Sequence, residues 1–123
     1  MNAQDLFANL AGRYLFRHAR VTAVSAPSPS FRRIDLQRTG AREVPWTPGD
    51  KVQVYLPGHG MRTYTPFAWR DEALSLLGFL HGDAPGANWV RTAKPGDEVA
   101  FFGPRRSLDA AGVTEVVVVG DET

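Results

Sequence analysis

A chain of 123 residues with 14 basic and 13 acidic side chains, a formal net charge of +1 and no cysteine has room for one domain with a modest core. Near-balanced charge removes any global pull toward nucleic acid or acidic membrane, and the missing cysteines exclude disulfides, thiolate metal sites and a thiol nucleophile. No basic start followed by a long apolar stretch opens the chain, and no apolar run approaches the ~20 residues that span a bilayer; no signal peptide or membrane span is expected, and a cytoplasmic setting is the default.

In chain order, "DLFANLAGR" places Leu6, Phe7 and Leu10 on one helical face, so residues 1–15 read as a helical segment packed on the domain; a disordered end or a partner-binding helix is the other reading. "RHARVTAVS" alternates through Ala19, Val21 and Ala23 as a strand, and "APSPS" breaks it. "FRRIDLQR" alternates again, with Phe31 out of phase with Ile34 and Leu36, a misfit that a bulge would explain. "KVQVYL" alternates cleanly, with Val52, Val54 and Leu56 inward. After a Gly-rich turn comes "MRTYTPF". "EALSLLGFL" fits helix or strand, and its position after a strand and turn favours strand. "DAPGANWVRTA" reads as a helix start with Pro85 in the first turn, "KPGD" as a turn, and "EVAFFG" as a last short strand. Short strands between Gly/Pro turns, with one helix, give a mainly β fold: an antiparallel barrel of Greek-key type over residues 16–112.

The tail has a different character. Val116 to Val119 form a continuous apolar run, the pattern of a strand covered on both faces in a parallel sheet. Residues 113–123 therefore read as the start of a second, truncated domain; an ordinary last barrel strand is the alternative.

Two stretches carry chemistry. In "RTYT", Arg62 can fork onto phosphate oxygens, Tyr64 lies two residues on along the same strand face and can stack on a flat ring, and Thr65 offers a hydroxyl and an amide. Pro66 keeps Thr65 extended and ends the ladder. Taken alone, these residues also suit a solvated charge and a rim aromatic. In "HGDAPGANW", a strand end runs through a glycine turn into a helix start, whose free amides favour an anion, with Gly82 and Gly86 allowing close backbone approach. A Gly-Pro turn before a helix is common. The two stretches in this order join a cation and a ring partner to an anion cradle.

On these residues the chain resembles the FAD-binding domain of the siderophore-interacting protein family, flavin-dependent ferric-siderophore reductases of the wider ferredoxin–NADP reductase superfamily. "RTYTPF" matches the family's Arg-x-Tyr-Thr/Ser motif, "FLHGDAPGANWVRTAKPGDEVAFFGPRRS" its long His-Gly to Gly-Pro block, and "VVVVGDET" the first strand and turn of its NAD(P)H-binding domain. The resemblance implies a six-stranded barrel with a short helix holding FAD at its edge. It implies flavin contacts from Arg62, Thr63, Tyr64 and Thr65, and from His81, Gly82, Ala84, Pro85, Gly86, Ala87, Asn88 and Trp89 on the phosphate and flavin side. Ala87 departs from the family, which usually has a serine or threonine there. The lost hydroxyl would cost ~1–3 kcal/mol if its acceptor stays unpaired, unless Asn88 or backbone amides replace it.

The implied activity is reduction of a ferric siderophore or other ferric chelate by electrons from NAD(P)H, carried by FAD, with iron released as Fe(II). Electron transfer of this kind demands no protein acid or base, so no catalytic residue is assigned, and the scattered His18, His59 and His81 show no metal-ligand spacing. Without the second domain, FAD binding with little NAD(P)H turnover is expected. Arg32, Arg33, Arg105 and Arg106 could form a basic entrance for an anionic chelate, although paired arginines usually solvate a strand face. Rival readings are a flavin reductase with another acceptor, a barrel that serves as a protein-interaction domain, and a nucleic-acid module stacking bases on Tyr55, Tyr64 and Trp69 near Arg62 and Arg70; the balanced charge speaks against nucleic acid.

Overall fold

The computed structural model describes residues 2–3, 16–40 and 44–121. The expected N-terminal helix over 5–13 lies outside the described residues.

Among the described residues, seven strands form one antiparallel sheet: β1 Arg17–Ser28, β2 Phe31–Thr39, β3 Lys51–Leu56, β4 Gly60–Tyr64, β5 Ala68–Arg70, β6 Ala73–Phe79 and β7 Glu98–Arg105, in the order β4-β3-β7-β1-β2-β6-β5. Helix α1, Pro85–Thr92, joins β6 to β7. The extra strand relative to the six implied by the resemblance is the three-residue β5, paired only with β6. The mainly β expectation holds, with the strand reading of "EALSLLGFL" and the helix reading of "PGANWVRT".

The sheet is rolled. Its edges, β4 and β5, are joined by Thr65, Pro66 and Phe67 alone. Laid flat, seven strands would hold those edges roughly 29 Å apart, whereas the connection spans roughly 14 Å at full extension. The edge strands make no ladder with each other among the described residues, so the barrel stays open. Its inner face is the core: Val21, Ile34, Leu36, Val52, Val54, Leu74, Leu76 and Phe101 are all at most 1% exposed.

Two local expectations are corrected. The irregularity near Phe31 is not a bulge in β2, whose pairing with β6 runs unbroken from Phe31↔Phe79 to Gln37↔Ala73. Phe31 simply faces outward and packs on Phe79, with ring centroids 5.1 Å apart. The irregularities lie instead in β1, one between Ser25 and Ser28, opposite Arg33 and Phe31, and one between Val21 and Ala23, where Val21 faces Leu36 and Ala23 faces Asp35. The extra residue reverses the phase, which leaves Ala23 exposed and turns Val24 toward the core.

The valine run makes no ladder. Residues 113–121 have no strand, and Val117, Val118 and Val119 are 88%, 82% and 91% exposed. It is therefore not the last strand of this barrel, whose ladders end with β7.

Candidate functional site

The site grows where β4, at one edge of the sheet, comes against the end of β6. On β4, Arg62 pairs across with Val54 and Tyr64 with Val52. Since those valines face the core, Arg62 and Tyr64 share the inner face at the open edge, as their two-residue spacing requires. Helix α1 closes the floor. Val90 fills the space left by Gly78 on β6: a Cβ there would meet Val90 Cγ2 at 2.5 Å. Small residues at the front of the helix then let it approach β4. A Cβ on Gly86 would lie 3.2 Å from Tyr64 Oη and 3.4 Å from Arg62 Cγ.

The result is a cleft of about 440 Å³ lined by Arg62, Thr63, Tyr64, Thr65, Leu77, Phe79, His81, Ala84, Gly86 and Ala87. Its size suits a small-molecule or cofactor site. Tyr64 is held from below by Trp89, 5.4 Å between ring centroids, and its hydroxyl donates to Gly86 O at 3.4 Å. Burial pushes the Tyr64 phenol above its ordinary value, and the Arg62 charge opposes this in part. The Arg62 guanidinium donates to His59 O at 3.1 Å and to Met61 O at 2.9 Å. His81 packs on Phe79, with ring centroids 4.6 Å apart.

The helix start faces the same cleft. Its N-cap, Ala84, supplies no side-chain acceptor, Pro85 follows, and the first turn holds no acidic residue. The first helical bond runs from Asn88 N to Ala84 O at 2.9 Å, so the amides of Gly86 and Ala87 precede the intrahelical ladder. A cation, two amides and no carboxylate among the lining residues make a donor set for an anion. Tyr64, Leu77 and Phe79 supply apolar surface beside it. This chemistry fits a flat aromatic ring joined to a phosphate.

Of the twelve residues expected at the site, eight line this cleft: Arg62, Thr63, Tyr64, Thr65, His81, Ala84, Gly86 and Ala87. Trp89 stands behind Tyr64. Pro85, Asn88 and Trp89 line a neighbouring cleft of about 320 Å³ with His59 and Asp83. Asn88 does not take over from the hydroxyl missing at Ala87: its Nδ2 donates to Asp83 O at 3.0 Å and its Oδ1 accepts from Arg91 at 2.7 Å. Gly82 lies in the turn before the helix, where φ of +62° explains the glycine.

Leu77 and Phe79 were not anticipated. Their signal was present: on β6 they fall out of phase with the buried Leu74 and Leu76, and an apolar pair on a strand's outer face calls for a reason. None of Arg32, Arg33, Arg105 and Arg106 lines the cleft. Arg33 pairs with Asp35 at 2.8 Å and stacks on Phe67, Arg105 stacks on Phe102, Arg106 pairs with Asp109 at 3.4 Å, and Arg32 binds the far end of the helix. No group of three His, Asp or Glu side chains suited to a metal occurs among the described residues, and no described helix is long and apolar enough to cross a membrane.

Residues 56–108 match the model of the siderophore-interacting FAD-binding domain. No curated protein matches the chain. Among solved structures, a siderophore-interacting protein from Aeromonas hydrophila is 30% identical at TM-score 0.64, over 74% of this chain and 43% of that one. A siderophore-interacting protein from Acinetobacter baumannii is 19% identical at TM-score 0.70, over 80% of this chain and 44% of that one. A ferredoxin NADP⁺ reductase from Neisseria gonorrhoeae with bound FAD and NADP is 18% identical at TM-score 0.60, over 71% of this chain and 36% of that one. The last two likenesses concern the fold. The chain spans less than half the length of each of these relatives.

Proposed function

From a chain whose residues 56–108 match the siderophore-interacting FAD-binding domain, we propose that this barrel is the FAD-holding part of an NAD(P)H-dependent ferric-siderophore reductase acting in the cytoplasm. The observation that carries the reading is the single cleft in which Arg62, Tyr64 and Thr65 of one sheet edge meet the free amides of Gly86 and Ala87. When bound, FAD would supply the chemistry that links two-electron donors to one-electron acceptors.

The chain's own residues supply the rest. Arg62 and the helix amides would hold phosphate oxygens, with Arg62 leaving its present bonds to His59 O and Met61 O. Tyr64, braced by Trp89, would present a fixed aromatic face, and Leu77 and Phe79 would keep water from the opposite flank. Thr65 and His81 would offer polar contacts at the ring's edge. The nicotinamide donor would bind a second domain beginning near the valine run, which gives Val116–Val119 the sheet it lacks here.

The test is the visible absorption spectrum of the purified chain after FAD addition and desalting. Flavin bands should survive and should be lost in Arg62→Ala and Tyr64→Ala. A chain that binds no flavin, alone or extended by the second domain, would overturn the reading. In the extended protein, faster NAD(P)H-driven reduction of a ferric siderophore than of free flavin or ferredoxin separates the proposed acceptor from its rivals.

A further inference from the structure

We infer that Arg32 is the positioning residue for helix α1, and that through the helix it sets the affinity of the cleft for the pyrophosphate of the flavin dinucleotide. The inference rests on the flavin reading given above. Arg32 does not line the cleft. Strand parity places it on the core side of β2, with Ile34 and Leu36, directly beneath the helix. Its guanidinium donates to three main-chain oxygens at the helix C-terminus: Val90 O at 2.5 Å, Arg91 O at 2.6 Å and Ala93 O at 3.1 Å.

Those carbonyls are the ones a helix leaves without internal partners, and they form the negative pole of its dipole. A forked cation answers both needs at once, where a lysine would supply a single point charge. An external anchor matters here because the helix has only eight residues and no side-chain N-cap. A helix this short has little stability of its own, so its position is dictated by what grips it. Val90 against Gly78 fixes its middle and Arg32 fixes its far end. From the last turn, Arg91 reaches back to donate to Gly82 O at 3.0 Å and to Asn88 Oδ1, strapping the turn before the helix to it. The amides of Gly86 and Ala87 are thereby held opposite Arg62. Loosening the far end moves the anion-facing amides, while the Tyr64 backbone keeps its place through its pairing with Val52 on β3.

The experiment compares the full 123-residue chain with Arg32→Gln and Arg32→Lys. FAD and riboflavin, which has no phosphate, are titrated by flavin fluorescence, and amide exchange is followed without flavin. Arg32→Gln should weaken FAD by about tenfold or more and riboflavin by less than about twofold, with Arg32→Lys in between. Exchange should speed up from Asn88 to Ala93 and stay unchanged at Ile34 and Leu76. Equal loss for both ligands, no loss of FAD, or uniform acceleration of exchange would overturn the inference while the flavin reading stands. A wild-type chain that binds neither flavin would sink the reading itself, and this inference with it.

Discussion

Tyr64 answers three demands at one position. It closes the core at the sheet edge against Trp89, fills the space that Gly86 leaves empty, and presents a ring to the cleft. Its raised phenol makes the first prediction. The folded chain holds that proton more tightly than the unfolded one, so the stabilisation is complete below the ordinary tyrosine range near ~10 and is lost as pH rises toward the folded value. The Tyr64 contribution to the denaturation midpoint should therefore be lost in alkaline solution, and Tyr64→Phe should flatten that alkaline slope. Arg62→Ala should move the Tyr64 ionisation higher still in a phenolate titration, since it removes the charge that lowers it. Gly86→Ala should reduce FAD retention in the desalting assay, because the new methyl pushes on Tyr64 Oη and Arg62 Cγ, which must yield by a few tenths of an ångström.

At the scale of the element, α1 and β6 meet through one glycine. A methyl at Gly78 would sit 2.5 and 2.6 Å from the two Val90 methyls, so Gly78→Ala should destabilise by about 1–3 kcal/mol as overpacking. Val90→Ala should recover part of this in the double variant, a coupling that a denaturant-melt cycle measures. The valine run behaves in the opposite way. Val117 and Val118 touch little, so Val117→Lys with Val118→Lys should leave unfolding free energy within about 0.5 kcal/mol while suppressing association of the chain in sedimentation. A large loss of stability would show that the run packs on the barrel after all.

Across the whole molecule, one core serves both the fold and the site, because the sheet that rolls around it also brings β4 against the end of β6, where the cleft opens. Phe101 is the centre of that core, fully buried and edge-on to Trp69 at 6.0 Å between centroids. Phe101→Ala should cost about 3–5 kcal/mol, read as a shifted denaturation midpoint. It should also lower FAD retention more than its loss of folded protein explains, since β7 carries β3 and, through it, the Arg62–Tyr64 edge.

Much of this was legible in the sequence because it is local. Alternation in "KVQVYL", a proline at a helix start and the turn-bounded strands are fixed by neighbours within a few residues, and they gave the mainly β fold and the place of the helix. The Arg-x-Tyr-Thr and His-Gly stretches marked eight of the cleft's lining residues, because i, i+2 spacing on a strand and amides at a helix start are themselves local geometry. What needed tertiary structure was long-range. The bulge that turns Ala23 out depends on which residues of β2 stand opposite β1, and the recruitment of Leu77 and Phe79 depends on how far the sheet rolls. The fate of Arg32 shows the limit most plainly. In the sequence it is one of two adjacent strand arginines. Only the packing of a helix from residues 85–92 over β2 gives its guanidinium three carbonyls to bind, because hydrogen-bond partners some sixty positions apart are chosen by the fold and not by the neighbouring residues.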